Sequence, residues 1–241
     1  MYYPIWYDPT FLIFIVPTLI LGLITQALVQ SRFNKYSKVP TLRGLTGAQA
    51  AREILDSNGL YAVTIEDARG FLSDHYDPRS RTLRLSPQVG RSASVAAVGV
   101  AAHEAGHALQ HASGYVPLQL RSALVPAVQF GSWLGPLIIM AGILLEVMSG
   151  ALGLGNALAW FGVLLFGMVV VFSFVTLPVE LNASARAKTL LYQYNIVDRR
   201  ELQGVNQVLN AAAWTYVVAA ISALLQLLRW VFILTASSRR D

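Results

Sequence analysis

Residues 10–29 run for 20 positions without one charged side chain. A helix rising about 1.5 Å per residue needs about 20 such residues to cross a hydrocarbon core about 30 Å thick, so a run of this kind reads as a membrane span. Three further stretches meet the same requirement, residues 124–148, 151–177 and 211–228. The second contains Pro126 and Pro136 and carries one carboxylate, Glu146, at its far end. A turn at Ser149 and Gly150 separates it from the third, and Arg229 follows the fourth ahead of a short apolar tail. Tyr2, Tyr3, Trp6 and Tyr7 precede the first run, where aromatic rings favour the lipid–water interface. That run is too long for a signal-peptide core and lacks a basic segment before it, so it is expected to be retained.

Composition agrees with this reading. Charged residues make up 13% of the chain and hydrophobic ones 55%, whereas a soluble domain is roughly a quarter charged. Neither a water-soluble fold nor a disordered chain fits. The formal charge is +5, but the basic residues sit between the apolar runs instead of forming a stripe on a polar frame. The excess is read as topology and not as nucleic-acid binding. Cysteine is absent, so any metal must be held by His, Asp or Glu.

Residues 31–123 hold 11 of the 18 basic residues and all four histidines, and Arg186, Lys188, Arg199 and Arg200 lie between the third and fourth runs. With four spans both polar segments share one side of the membrane, and the positive-inside rule makes that side the cytosol. Arg229, Arg239 and Arg240 run against the rule. The expected order is a first membrane helix in residues 1–30, a cytosolic domain in 31–123, and a helical hairpin in 124–177. A second cytosolic segment in 178–210 and a last helix with its tail in 211–241 complete it.

Within the polar domain, Thr46 is a plausible N-cap for a helix whose apolar face is Ala50, Ile54 and Leu55, with Asn58 and Gly59 as its stop. Short strands are expected at residues 74–77 and 82–85 around an Asp77-Pro78-Arg79-Ser80 turn. Residues 92–112 read as one Ala-rich helix. On it stands His103-Glu104-Ala105-Gly106-His107, an HExxH motif. Two histidines four apart share a helical face, so both imidazoles can reach one Zn²⁺. Glu104, between them, can take a proton from water held on the metal. His111 extends the row but stands about 12 Å along the axis from His103, too far to join in the same geometry. Ser113 occupies the place of the third metzincin histidine, which excludes that class.

The third ligand must come from elsewhere. Glu146 is expected on the opposite side of the membrane, and Glu201 lies in a polar stretch where a solvated role is the default. Glu180 follows Pro178 as the third run ends. Ala183 and Ala187 beside it would let its helix pack closely on the Ala-rich one. His103, His107 and Glu180 with a water would make an open, catalytic zinc site. His75, Arg186, Tyr192 and Tyr194 are candidates to stabilise an oxyanion, and the sequence does not choose among them. Leu83, Arg84, Leu85 and Ser86 are expected to form an edge strand, which could take an extended peptide by strand addition.

The stretches Leu72-Ser73-Asp74-His75-Tyr76-Asp77-Pro78, Leu83-Arg84-Leu85-Ser86, Val100 to Ala108 around the HExxH motif, and Pro178-Val179-Glu180-Leu181-Asn182-Ala183-Ser184 together resemble the YugP-type neutral zinc metallopeptidases, small bacterial membrane proteins. The resemblance covers nearly the whole chain. More distantly the chain is similar to the HtpX and CAAX prenyl protease gluzincins, in which a Glu on a later helix completes the zinc site. That group carries an Asp four residues after the Glu ligand. Here the position is Ser184, which with Arg186 is a candidate to support the ligands.

The expected fold is therefore mainly α: about four transmembrane helices and a small α+β zincin-like domain containing the HExxH helix. The expected function is a one-zinc endopeptidase in the bacterial cell (inner) membrane. Its site would face the cytosol and cut membrane-tethered or unfolded polypeptides, alone or with a membrane-protein partner or further copies. Two other readings stand beside it. A site-2-type intramembrane protease would need an Asp from a Leu-Asp-Gly sequence, which is absent. A scaffold with a structural zinc would have no use for Glu104.

Overall fold

The computed structural model describes residues 9–70, 73–149 and 153–237. Tyr2, Tyr3, Trp6, Tyr7, Leu72, Gly150, Arg239 and Arg240 lie outside them. The elements follow in the order α1 (Pro9–Phe14), α2 (Val16–Tyr36), α3 (Gly47–Ser57), β1 (Thr64–Asp67), β2 (His75–Asp77), β3 (Thr82–Leu85), α4 (Pro87–Gly90), α5 (Val95–Ala112), α6 (Val116–Ser149), α7 (Leu154–Gln193) and α8 (Arg199–Ser237). The chain is mostly helical, with one small mixed sheet. Four helical stretches, Phe11–Tyr36, Val116–Met148, Leu154–Gln193 and Arg199–Ala236, are long and apolar enough to cross a membrane. Each runs well past the apolar stretch that marks it in the sequence. Neither Pro126 nor Pro136 ends α6, and Arg229 does not end α8.

The chain divides into two compact units. The first takes the chain up to Leu23, Leu120–Leu177, and the chain from Tyr216 on. Its helices meet through small residues, as helices in lipid do. A Cβ on Gly142 would stand 2.5 Å from the Ala159 nitrogen and 2.6 Å from the Gly155 carbonyl oxygen, so only glycine allows this approach of α6 to α7. Ile139, Ala159, Val163, Trp230 and Leu234 are buried together. The Glu146 carboxylate accepts from the Asn156 N–H at 2.8 Å, satisfying one of the open donors of the first turn of α7. Arg229 donates through Nε to Thr10 Oγ1 at 3.2 Å, and its guanidinium lies 5.4 Å from the Trp230 ring centre.

The second unit is Ile24–Gln119 with Pro178–Thr215. Thr46 caps α3 with a reciprocal bond to Gln49, and α3 buries Ala50, Ala51, Ile54 and Leu55. α5 begins at Val95 and not at Ser92, because Ser94 is its N-cap and accepts from the Ala97 N–H. The sheet order is β1-β3-β2. β2 pairs antiparallel with β3 and β1 pairs parallel with it. The turn between β2 and β3 is locked by Asp77, which accepts from the Arg79 N–H at 2.9 Å and the Ser80 hydroxyl at 2.8 Å.

This topology corrects one expectation. Leu83, Arg84, Leu85 and Ser86 do not form an edge, because β3 is the central strand and its backbone is paired on both sides. Leu83 and Leu85 are fully buried, and Ser86 gives both its N–H and its hydroxyl to Asp74. The edges are β1 and β2.

Candidate active site

The site is built from α5, β2 and the part of α7 from Pro178 on, which belong to the second unit. α5 meets α7 through His103, Gly106, His107 and Gln110, and the two helices approach to backbone contact. A Cβ on Gly106 would stand 2.6 Å from the Ala183 carbonyl oxygen. Ala183 and Ala187 are fully buried, as their size suggested. The crossing sets Glu180, one turn before Ala183 on α7, opposite His103 and His107 on α5.

His103 Nε2 lies 3.2 Å from Glu180 Oε2, and His107 Nε2 lies 3.5 Å from the same oxygen. The two imidazoles meet edge to face, with centroids 4.8 Å apart. The three potential ligand atoms all lie within 4.8 Å of one another. Ligands about 2.1 Å from a tetrahedral Zn²⁺ stand about 3.4 Å apart, and two imidazole nitrogens with one carboxylate are a donor set that zinc takes in catalytic sites. Residues and spacing therefore fit the ion.

Each histidine has its other ring nitrogen engaged. His103 Nδ1 lies 3.0 Å from Ser184 Oγ, and His107 Nδ1 lies 3.0 Å from Gln110 Oε1. Burial pulls the His107 imidazolium down, but Glu180, the nearby Glu104 charge and Gln110 outweigh it, so His107 titrates above the usual histidine range. Glu104 is buried beside them, outside the ligand group, and its Oε2 accepts the Tyr76 N–H at 3.1 Å. Tyr76 also places its hydroxyl 2.9 Å from His111 Nδ1. His111 thus ties β2 to α5 and stands apart from the ligand group. Burial raises the Asp74 carboxyl, and the Glu104 charge adds to this against two Ser86 hydrogen bonds.

The remaining candidates are placed as follows. His75 is exposed on β2 and donates through Nδ1 to the Ser73 carbonyl at 2.9 Å. Arg186 donates to Asn182 Oδ1 at 2.8 Å and to the Ser113 hydroxyl at 3.4 Å. The Tyr192 hydroxyl receives Arg199 Nε, and the Tyr194 hydroxyl receives Asn58 Nδ2. Glu201 is not solvated as expected. It is buried, and it accepts the N–H groups of Leu42 at 2.6 Å and Asp198 at 2.7 Å, while Asp198 accepts the Glu201 N–H in return. This is a reciprocal helix cap, and the Asp-x-x-Glu spacing that announces it is in the sequence. Gln110, fully buried against His107, was missed. Its signal was its place three residues after His107 on the same helical face.

A family model described as "Putative neutral zinc metallopeptidase" matches residues 11–235. The "Putative membrane protease YugP" of Bacillus subtilis (strain 168) is 47% identical over 223 residues, which are 92% of this chain and 96% of that protein. No solved structure matches the chain.

Proposed function

The chain belongs to the family of neutral zinc metallopeptidases, and from that premise we propose that it is a membrane-embedded endopeptidase that hydrolyses peptide bonds of membrane-tethered or unfolded proteins at the cytosolic membrane surface. The observation that carries this reading is the meeting of His103, His107 and Glu180, with the Glu104 carboxylate buried beside them and outside the ligand set. The three residues would hold one zinc ion. When bound, the ion supplies Lewis-acid chemistry, polarising a carbonyl and making a water acidic near neutral pH. Glu104 acts as the base. It takes a proton from the attacking water and returns it to the departing amine nitrogen. The Tyr76 N–H holds one Glu104 oxygen in place and so limits the rotamers from which the proton can be passed.

The Tyr76 N–H points away from β3, and strand geometry sends its carbonyl to the same side. We therefore assign the substrate-facing edge to β2 in place of β3. An extended peptide laid along β2 would cross in front of Glu104. In this reading residues 31–123 and 178–210 form the catalytic part. Residues 1–30, 124–177 and 211–241 form the membrane part. Glu180 lies three residues past Leu177 on one continuous helix, about 5 Å along its axis, which favours substrates presented at the bilayer. Pairing along the β2 edge needs an unpaired strand from its substrate, and a folded soluble protein does not offer one.

Purified protein in lipid vesicles tests the activity. It should cut an unfolded polypeptide and a flexible sequence tethered to a membrane anchor. It should leave a folded soluble protein intact, stop with a chelator, and recover with added zinc. Cleavage unaffected by the chelator would overturn the reading. Topology is tested separately, since 15 of the 18 basic residues fall in the two polar segments. A tag inserted near Arg79 should be cytosolic, and because four crossings then put both chain ends outside, a reporter fused after Asp241 should lie on the other side of the membrane. The expected result is therefore opposite sides for tag and reporter, and finding both on one side would mean an odd number of crossings.

A further inference from the structure

His107 rests on a side chain that belongs neither to the HExxH motif nor to the segment around Glu180. Gln110 is fully buried. Its Oε1 faces His107 Nδ1 at 3.0 Å, and its Nε2 donates to the Val179 carbonyl at 2.8 Å and to Asn182 Oδ1 at 3.0 Å. A glutamine amide can be turned end for end only where its partners tolerate both directions. These do not. A backbone carbonyl only accepts, so the amide nitrogen belongs on the Val179 side and the oxygen is left facing the imidazole. Asn182 is oriented in the same way, because its Oδ1 also receives the Arg186 Nε–H at 2.8 Å and a guanidinium only donates. The direction of donation thus runs from Arg186 and Gln110 into Asn182, and from His107 into Gln110.

At the end of this chain His107 must carry a hydrogen on Nδ1. Its Nε2, 3.5 Å from Glu180 Oε2, is then the nitrogen whose lone pair is left for the metal. His103 is held differently. Its Nδ1 faces the Ser184 hydroxyl at 3.0 Å, a group that donates as readily as it accepts and so imposes no tautomer. The two histidines are therefore unequal, and only one is dictated by its surroundings.

We propose that Gln110 is a positioning residue for the metal site. By accepting the Nδ1–H of His107 it fixes the tautomer and ring orientation that present Nε2, with Asn182 and Arg186 deciding which way Gln110 points. The inference rests on the reading of His103, His107 and Glu180 as zinc ligands. Partners of this kind affect metal affinity by about ten- to a hundredfold.

Two substitutions in the full-length protein separate the role of the acceptor from that of packing. Gln110→Met fills a similar volume and offers no acceptor, whereas Gln110→Glu keeps an oxygen facing His107. Zinc affinity, measured by competition with a chelator, should fall about ten- to a hundredfold in Gln110→Met and recover most of that loss in Gln110→Glu. In zinc-loaded protein with isotopically labelled histidine, wild type and Gln110→Glu should show a His107 Nδ1–H resonance protected from exchange with water. Gln110→Met should lose that protection. Unchanged affinity and protection in Gln110→Met would overturn the proposal. So would an equal loss in both variants, and if the methionine variant does not fold, loss of affinity and of the protected His107 Nδ1–H in Gln110→Glu overturns the proposal by itself. His103→Ala is the separate check on the underlying reading. If it binds zinc as wild type does, the ligand assignment fails, whatever Gln110 does.

Discussion

Replacing Glu104 with Gln is expected to leave zinc bound and to lower turnover by about a hundred- to ten-thousandfold, the range a positioned general base supplies. The substitution is close to ideal sterically. Glu104 is buried on α5, and the oxygen that receives the Tyr76 N–H is kept by an amide turned the right way. The amide has no basicity, however, so it cannot take the proton from water. His103, His107 and Glu180 are untouched. Metal analysis should therefore report the wild-type zinc content, and kcat should fall with little change in KM, the pattern of an interaction made only in the transition state. Wild-type turnover in this variant would place the base elsewhere. Loss of zinc along with activity would make Glu104 part of the binding group.

Particular residues show why some of this arrangement was legible in the sequence. The four apolar runs and the HExxH spacing are local patterns, and each maps onto one helical stretch. Glu180 was found through its neighbours, since Ala183 and Ala187 mark a face that another helix can approach. The companion on the opposite helix is Gly106, the fourth residue of the motif, whose missing Cβ is what permits the crossing. The sheet was harder to read. β1 has the sequence Thr-Ile-Glu-Asp and is largely exposed, so it offers no apolar alternation to detect. It nevertheless pairs with β3 and makes that strand central. Leu83 and Leu85 would alternate identically in an edge strand packed on one face, and four residues do not distinguish the two cases. Parallel pairing across the intervening β2 is a non-local fact that no short window contains. Gln110 escaped for a different reason. A single buried glutamine acquires meaning only when Val179, Asn182 and Arg186 from α7 stand around it.

Glu180→Ala should release the metal, lowering zinc affinity by well over the roughly hundredfold that loss of a supporting partner costs. Glu180 supplies the one negative charge in the ligand group, and it stands within 3.5 Å of both imidazoles. With alanine there, two neutral nitrogens remain, short of the three protein ligands of an open zinc site. Among the described residues, no other glutamate joins the two histidines. Glu201 is committed to the N–H groups of Leu42 and Asp198, Glu146 to that of Asn156, and Glu104 to that of Tyr76. Thermal unfolding gives a readout independent of catalysis. A ligand bound only by the folded state stabilises it by about 2.7 kcal/mol at a free concentration one hundred times its Kd. Zinc should therefore raise the melting temperature of the wild type and of Glu104→Gln alike, and leave that of Glu180→Ala unchanged. A zinc-dependent rise of wild-type size in Glu180→Ala would remove Glu180 from the site and leave the third ligand to be sought on another element.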